Sequence, residues 1–270
     1  MLQSARQQAG NNAVILTESN AEPFMADINV YLSLEAFGDA DFAGAHRIVP
    51  AFAAIYGGYY TAMGAVFYQT DFSNPDVFAA KVAKQFMFGA MLGWFSLGGR
   101  DNAKPPVALY DILMSPAYNS EVLYVKMLSD ARAFLVPHLM LGRTMRDLPV
   151  FVNGSLHNGA LLSSSSSFPK IGSENGQLVS TLLHQAWLSR DGRLLIAMTN
   201  SQRTVETHIT LDISLSNYGI PGVACVFEMS PIDGSRRVVQ RSISTLAYSK
   251  VLPGRSLVLL LVCPGDCDCA

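Results

Sequence analysis

Three carboxylates stand close together near the start of the chain: Glu18, Glu22 and Asp27, in the run AVILTESNAEPFMAD. The run opens with four apolar residues, Ala13 to Leu16, and breaks at Thr17. A short apolar run bounded by polar residues suits a strand buried on both faces of a parallel sheet. That places Glu18 at the strand's end, where barrels of parallel strands gather their chemistry. A carboxyl group partly desolvated at such a place has a raised pKa and can act as an acid/base. The competing role is a surface or helix-capping carboxylate. Glu22 lies four residues on and shares a face with Glu18 if the segment is helical, which Pro23 opposes. Asp27 fits a helix terminus or a core pair equally well.

Other chemistries find little support. His46, His138, His157, His184 and His208 are scattered, with no spacing that suits a metal. His184 and His208 fall in predicted strands and read as structural. There is no G-x-S-x-G elbow, no phosphate-binding P-loop and no G-x-G-x-x-G, so no cofactor is expected. Three of the four cysteines, Cys263, Cys267 and Cys269, crowd into the tail, and Cys225 stands alone. Their C-x3-C-x-C spacing lacks an evident fourth metal ligand, and an exposed or disordered tail is the simpler expectation. Asn153-Gly154-Ser155 matches a glycosylation acceptor, a triplet common by chance.

Net charge is −2 over 270 residues. No Lys/Arg cluster stands out, so nucleic acid and anionic membranes are not expected partners. The stretch Phe86 to Gly99 is nearly uncharged but carries four glycines. It is shorter than the roughly 18 residues of a membrane span, so it is expected to be core. The first residues, MLQSARQQAGNN, have no apolar segment of the signal-peptide kind.

The elements that would position these residues come in two textures, which change near residue 148. After the Glu18 strand, residues 20–35 read as helix or loop. A second buried strand is expected over Ile48 to Ile55, ending in Tyr56-Gly57-Gly58. Asn74-Pro75-Asp76 is a helix start, followed by a polar stripe of Lys81, Lys84 and Gln85. Gly93 to Leu97 reads as a third strand or its exit. Asn119 opens a long helix to about Met145, kinked at Pro137. From Pro149 the period becomes two: THITLDISLS alternates as a half-buried antiparallel strand. Asp191-Gly192 and Asp233-Gly234 are hairpin signals. RSLVLLLV is the last strand. Asn153 to Gly176 reads as a long polar loop.

TESNAEPFMAD, VPAFAAIYGGYYTAMG and FMFGAMLGW, followed by a long helix and a β-rich tail, resemble the C-terminal part of an uncharacterised glycoside-hydrolase-like family. Its members have a (β/α)8 barrel and a C-terminal β-sandwich. The resemblance implies an α/β plus all-β fold. Residues 1–148 would be the C-terminal part of the barrel, with about three strand-helix units. Residues 149–270 would be an antiparallel β-sandwich. It implies carbohydrate as substrate or ligand. Glu18 would be the proton donor, with Glu22 and Asp27 contacting sugar hydroxyls. Tyr56 and Trp94, which with Tyr59 and Tyr60 are expected to follow strand ends, would stack on sugar rings. One departure matters. Eight strands close a barrel, and the nucleophilic carboxylate of such enzymes sits on a strand before those found here. The expectation is therefore a fragment with little activity alone, whose open barrel edge a partner could cover. The alternative is a non-catalytic remnant that binds carbohydrate or protein.

Overall fold

The computed structural model describes residues 7–8, 10, 14–17, 28–32, 55, 59, 61–64, 66–67, 75–92, 94–95, 114–157 and 182–265. In the first region short strands run parallel. Strand β1 (Leu16–Thr17) pairs with β2 (Val30–Leu32), and β2 with β3 (Thr61–Met63). Asn29 ties their starts together. Its side-chain Oδ1 accepts from the Ile15 amide at 3.1 Å, and its carbonyl accepts from the Thr61 amide at 2.9 Å. A parallel bridge from Met63 to Met91, then pairing of β4 (Val66–Phe67) with β5 (Trp94–Phe95), extends the same direction.

Three expectations for this region need correction. Val30–Leu32 is a strand, not helix or loop; Val-Tyr-Leu are good strand formers, and Tyr31 is fully buried. The Glu18 strand is not buried on both faces: Val14 is 70% and Leu16 47% exposed. Among the described residues β1 has a neighbour on its β2 side only, so it is an edge. Ile55 is helical and exposed instead of ending a buried strand, and β3 takes the pairing beside β2. Short apolar runs do not by themselves separate strand from helix. Residues 48–54 lie outside the described residues.

Helix α1 (Pro75–Met87) starts where Asn74-Pro75-Asp76 places it. Phe78, Val82 and Phe86 are buried, and so are Lys81 and Gln85 of the expected polar stripe. The helix is covered on more than one side, by α2 (Asn119–Phe134) and by strand β9 (Leu182–Leu188). Gly89 closes α1 with φ +72°, and a side-chain carbon there would lie 2.1 Å from the Leu139 carbonyl oxygen. Only glycine meets both demands. The expected helix to Met145 ends early. After α2 the chain breaks at Leu135 and resumes as α3 (Val136–Leu139), with Pro137 in its first turn. A continuous helix would drive the proline ring into the carbonyl four residues earlier.

The remaining strands form two antiparallel sheets. The first has six strands, ordered β13 (Arg236–Ile243), β12 (Ala224–Met229), β15 (Ser256–Pro264), β10 (Leu194–Asn200), β9 and β6 (Arg143–Thr144). The second has four, ordered β14 (Thr245–Leu252), β11 (Thr207–Ser214), β7 (Val150–Val152) and β8 (Ser155–His157). Strand β6 joins the six-stranded sheet ahead of the expected boundary at 149. THITLDIS alternates buried and exposed as read from the sequence, and Asp191-Gly192 turns β9 into β10. The six-stranded sheet is the middle layer. On one face Leu183, Trp187, Leu195, Phe227, Leu259 and Leu261 meet the helices. On the other, Leu194, Ile196, Leu260 and Val262 meet Ile209, Leu211 and Leu246 of the second sheet.

The cysteines also correct the sequence view. Cys225 and Cys263 are fully buried on neighbouring strands, opposite each other in register, and both are disulfide-bonded. A disulfided thiol is no metal ligand. Among the described residues no group of three His, Cys, Asp or Glu could hold a metal ion. No helix among them is long and apolar enough to cross a membrane.

Candidate active site

Parallel strands end on one side, so β1 and β2 end together, as do β4 and β5. Strand β1 ends at Thr17, and Glu18 is the next residue in the chain. Glu18, Glu22, Asp27 and Tyr56 themselves lie outside the described residues. Trp94 is the first residue of β5, with its backbone opposite Val66. It therefore stands inside a strand and not beyond its end; its side chain lies outside the description. Tyr59 precedes β3 and is 77% exposed, so it stands on the side where strands begin. Tyr60 lies outside the described residues.

One residue the sequence reading missed is Tyr31. It sits opposite Thr17 in the β1–β2 register, level with the end of the Glu18 strand. Burial pushes its phenol pKa up, so the group stays protonated and able to donate. The signal was available: a tyrosine in the short β-forming run VYL.

Tyr59 belongs to a different place. With Ile55, Leu141, Gly142, Arg143, Leu188, Ser189 and Arg190 it lines a cleft of about 540 Å³ against the β6–β9 edge. Among the described residues two arginines and no carboxylate line it.

The densest charge cluster among the described residues is structural. Glu121 of α2 is fully buried; its two oxygens face Arg255 at 3.0 Å and Arg203 at 3.4 Å. Arg255 also reaches Asp76 of α1 at 3.0 Å, and the Arg203 amide donates to the same carboxylate at 3.0 Å. The Arg255 guanidinium lies 5.7 Å from the Tyr124 ring centre. The Tyr124 hydroxyl bonds to Thr199 Oγ1 at 2.7 Å. Burial drives that phenol's pKa upward, against the opposing pull of Thr199 and Arg255. These groups fasten α1 and α2 to the β10–β11 and β14–β15 connections. Both oxygens of Glu121 are engaged, so it is no free base.

A second cluster ties the two sheets together. Glu228 of β12 accepts from Lys250 at 2.5 Å and from Tyr248 at 3.0 Å, both on β14. Burial alone would raise its pKa. The bonds from Lys250 and Tyr248, with the charges of Lys250 and Arg237, hold it below the usual carboxylate range.

No family model matches the chain. Among curated proteins, "Putative glycoside hydrolase 22789" of Monosiga brevicollis is 38% identical over 151 residues, 54% of this chain. The match spans 13% of that protein's length. Among solved structures, an Anoxybacillus α-amylase superposes over 94% of this chain and 53% of its own, with TM-score 0.49 and 10% identity. A GH30 endoxylanase from Clostridium papyrosolvens superposes over 98% and 60%, with TM-score 0.43 and 10% identity. A GH27 β-L-arabinopyranosidase from Geobacillus stearothermophilus superposes over 97% and 52%, with TM-score 0.44 and 10% identity. By sequence, then, the chain is similar to a glycoside-hydrolase-like protein over about half its length.

Proposed function

We propose that the chain is a glycoside-hydrolase-like, carbohydrate-active protein, with residues 1–148 as the C-terminal part of a (β/α)8 barrel and 149–270 as its sandwich. The 38% identity to the Monosiga protein carries this reading. The parallel order β1-β2-β3, extended through β5, is what part of a barrel wall requires. The exposed Val14 and Leu16 on the β1 edge fit an edge that another barrel strand would cover.

In this reading Glu18 is the proton donor, with Tyr31 beside it at the strand end. Glu22 and Asp27 hold sugar hydroxyls, and Tyr56 and Trp94 offer ring faces. The acid alone cannot complete the reaction. It protonates a leaving oxygen, but a second carboxyl group must attack the anomeric carbon or activate water. In the resembling barrels that group comes from an earlier strand, supplied here by a longer protein or by a partner on the β1 edge.

The test takes the 270-residue chain itself. Turnover on a panel of aryl glycosides is expected to stay at background. Saccharides at millimolar concentration are expected to raise its Tm, and Glu18→Gln with Trp94→Ala to remove that rise. Turnover abolished by Glu18→Gln would overturn the missing-partner step and place the second carboxylate at Glu22 or Asp27. Neither turnover nor saccharide stabilisation would overturn the carbohydrate reading.

A further inference from the structure

Two features outside the strand-end site belong together. The first is covalent. Cys225 and Cys263 are disulfide-bonded in the packed layer between the six-stranded sheet and the helices. Disulfides persist in oxidising compartments and are rare in the cytosol. Both cysteines are buried at 0% exposure.

The second is a turn. Asn153-Gly154 joins β7 to β8 as a two-residue hairpin, with Val152 opposite Ser155. Both turn residues have positive φ, 48° and 83°, as the Asn-Gly type I′ turn requires. The Asn153 amide is held by the His208 carbonyl at 3.0 Å, while both turn residues are exposed. A side-chain carbon added at Gly154 would meet nothing within 4 Å. The turn thus projects into open space. Its residues are also the one N-x-[ST] triplet in the sequence.

We propose that Asn153 carries an N-linked glycan, added in the oxidising lumen where the disulfides form. The co-reactant is a lipid-diphosphate-linked oligosaccharide. The Asn153 side-chain carboxamide nitrogen attacks the anomeric carbon, and the N–C bond forms as the C–O bond to diphosphate breaks. The amide loses one proton and the lipid diphosphate leaves, with no change of oxidation state. The triplet alone is weak, because most such triplets never meet the transferase. The disulfides place this one in the right compartment, and the hairpin places it at an accessible tip. Among the described residues β8 is the edge of its sheet, so a glycan beside it also screens that edge from pairing with another chain.

The 270-residue chain, secreted from a eukaryotic cell behind an added leader, decides the matter. Intact mass is read before and after peptide N-glycosidase, and if secretion fails the lumenal pool is read the same way. One glycan is expected, with its removal leaving Asp at 153. Asn153→Asp and Ser155→Ala should each abolish it; Ser155→Ala leaves both turn residues in place. Wild-type chain at the bare polypeptide mass would overturn the proposal, as would a glycan that survives Ser155→Ala. Four alkylatable thiols in the chain unfolded without reductant would overturn its compartment.

Discussion

The two sheets of the sandwich are both antiparallel, yet their sequences look unlike. In the six-stranded sheet, LLIAMTN of β10 is buried at every position, and SLVLLLVCP of β15 at seven consecutive ones. In the four-stranded sheet, THITLDIS of β11 alternates strictly between buried and less buried positions. The difference follows from what covers them. The six-stranded sheet has helices α1 and α2 on one face and the second sheet on the other. Among the described residues the four-stranded sheet has a partner on one face only. Continuous apolar runs therefore report two covered faces, and parallel pairing is only the commonest way to obtain them. The converse holds at β1, where an apolar run in a parallel sheet is exposed because it lies at an edge.

The comparison can be broken most sharply at Trp187. It belongs to the helix-facing side of the six-stranded sheet and is 1% exposed. Trp187→Ala should lower stability by about 3–5 kcal/mol, read as a fall in the urea midpoint. A loss below about 1 kcal/mol would mean that the helices do not cover that face.

Next in size is a pH effect at His138. Burial lowers its pKa to about 4 from an ordinary 6.5; Asp191 pulls it up, and Arg193 and Arg236 push it down. Both ring nitrogens are buried without a hydrogen-bond partner among the described residues. Between these two values the unfolded chain binds the proton and the folded chain does not. The stabilisation is whole above pH 6.5 and is lost as pH falls toward 4, in total about 3 kcal/mol. Urea midpoints at pH 7 and 4.5 should differ accordingly, and His138→Leu should flatten the difference. An unchanged slope would remove His138 as the cause.

The smallest effect belongs to the open face of the outer sheet. His208 on β11 is exposed, and among the described residues its side chain bonds only to Ser249 across the strand pair, at 2.9 Å. His208→Ala should move the midpoint by no more than about 0.5 kcal/mol. A larger loss would indicate that this face is covered too.

Local signals were legible and distant ones were not. Asn74-Pro75-Asp76, Asp191-Gly192 and the period of THITLDIS act within a few residues, and each appears where it was read. The burial of Glu121 depends on Arg203 and Arg255, and that of Cys225 on the strand bearing Cys263. No window along the chain contains those partners. Strand β2 escaped for a related reason: three residues carry no period, and only β1 and β3 make them a strand. For the candidate site, Glu18 could be read as the residue after a strand end. The place of Tyr31 opposite Thr17 could not, since it needs the register.

The buried carboxylate of Glu121 has a consequence for how the molecule comes apart. Helices α1 and α2 precede residue 148, but their apolar faces and Glu121 are completed by strands and arginines that follow it. The boundary visible along the chain is therefore not a seam in the cooperative unit. A protease cutting after Leu148 would leave Trp187, Leu195 and Leu259 facing water on one side and a stranded anion on the other. The helices and sandwich should protect their amides from exchange together, and melt in a single transition, wherever the short parallel strands fray first.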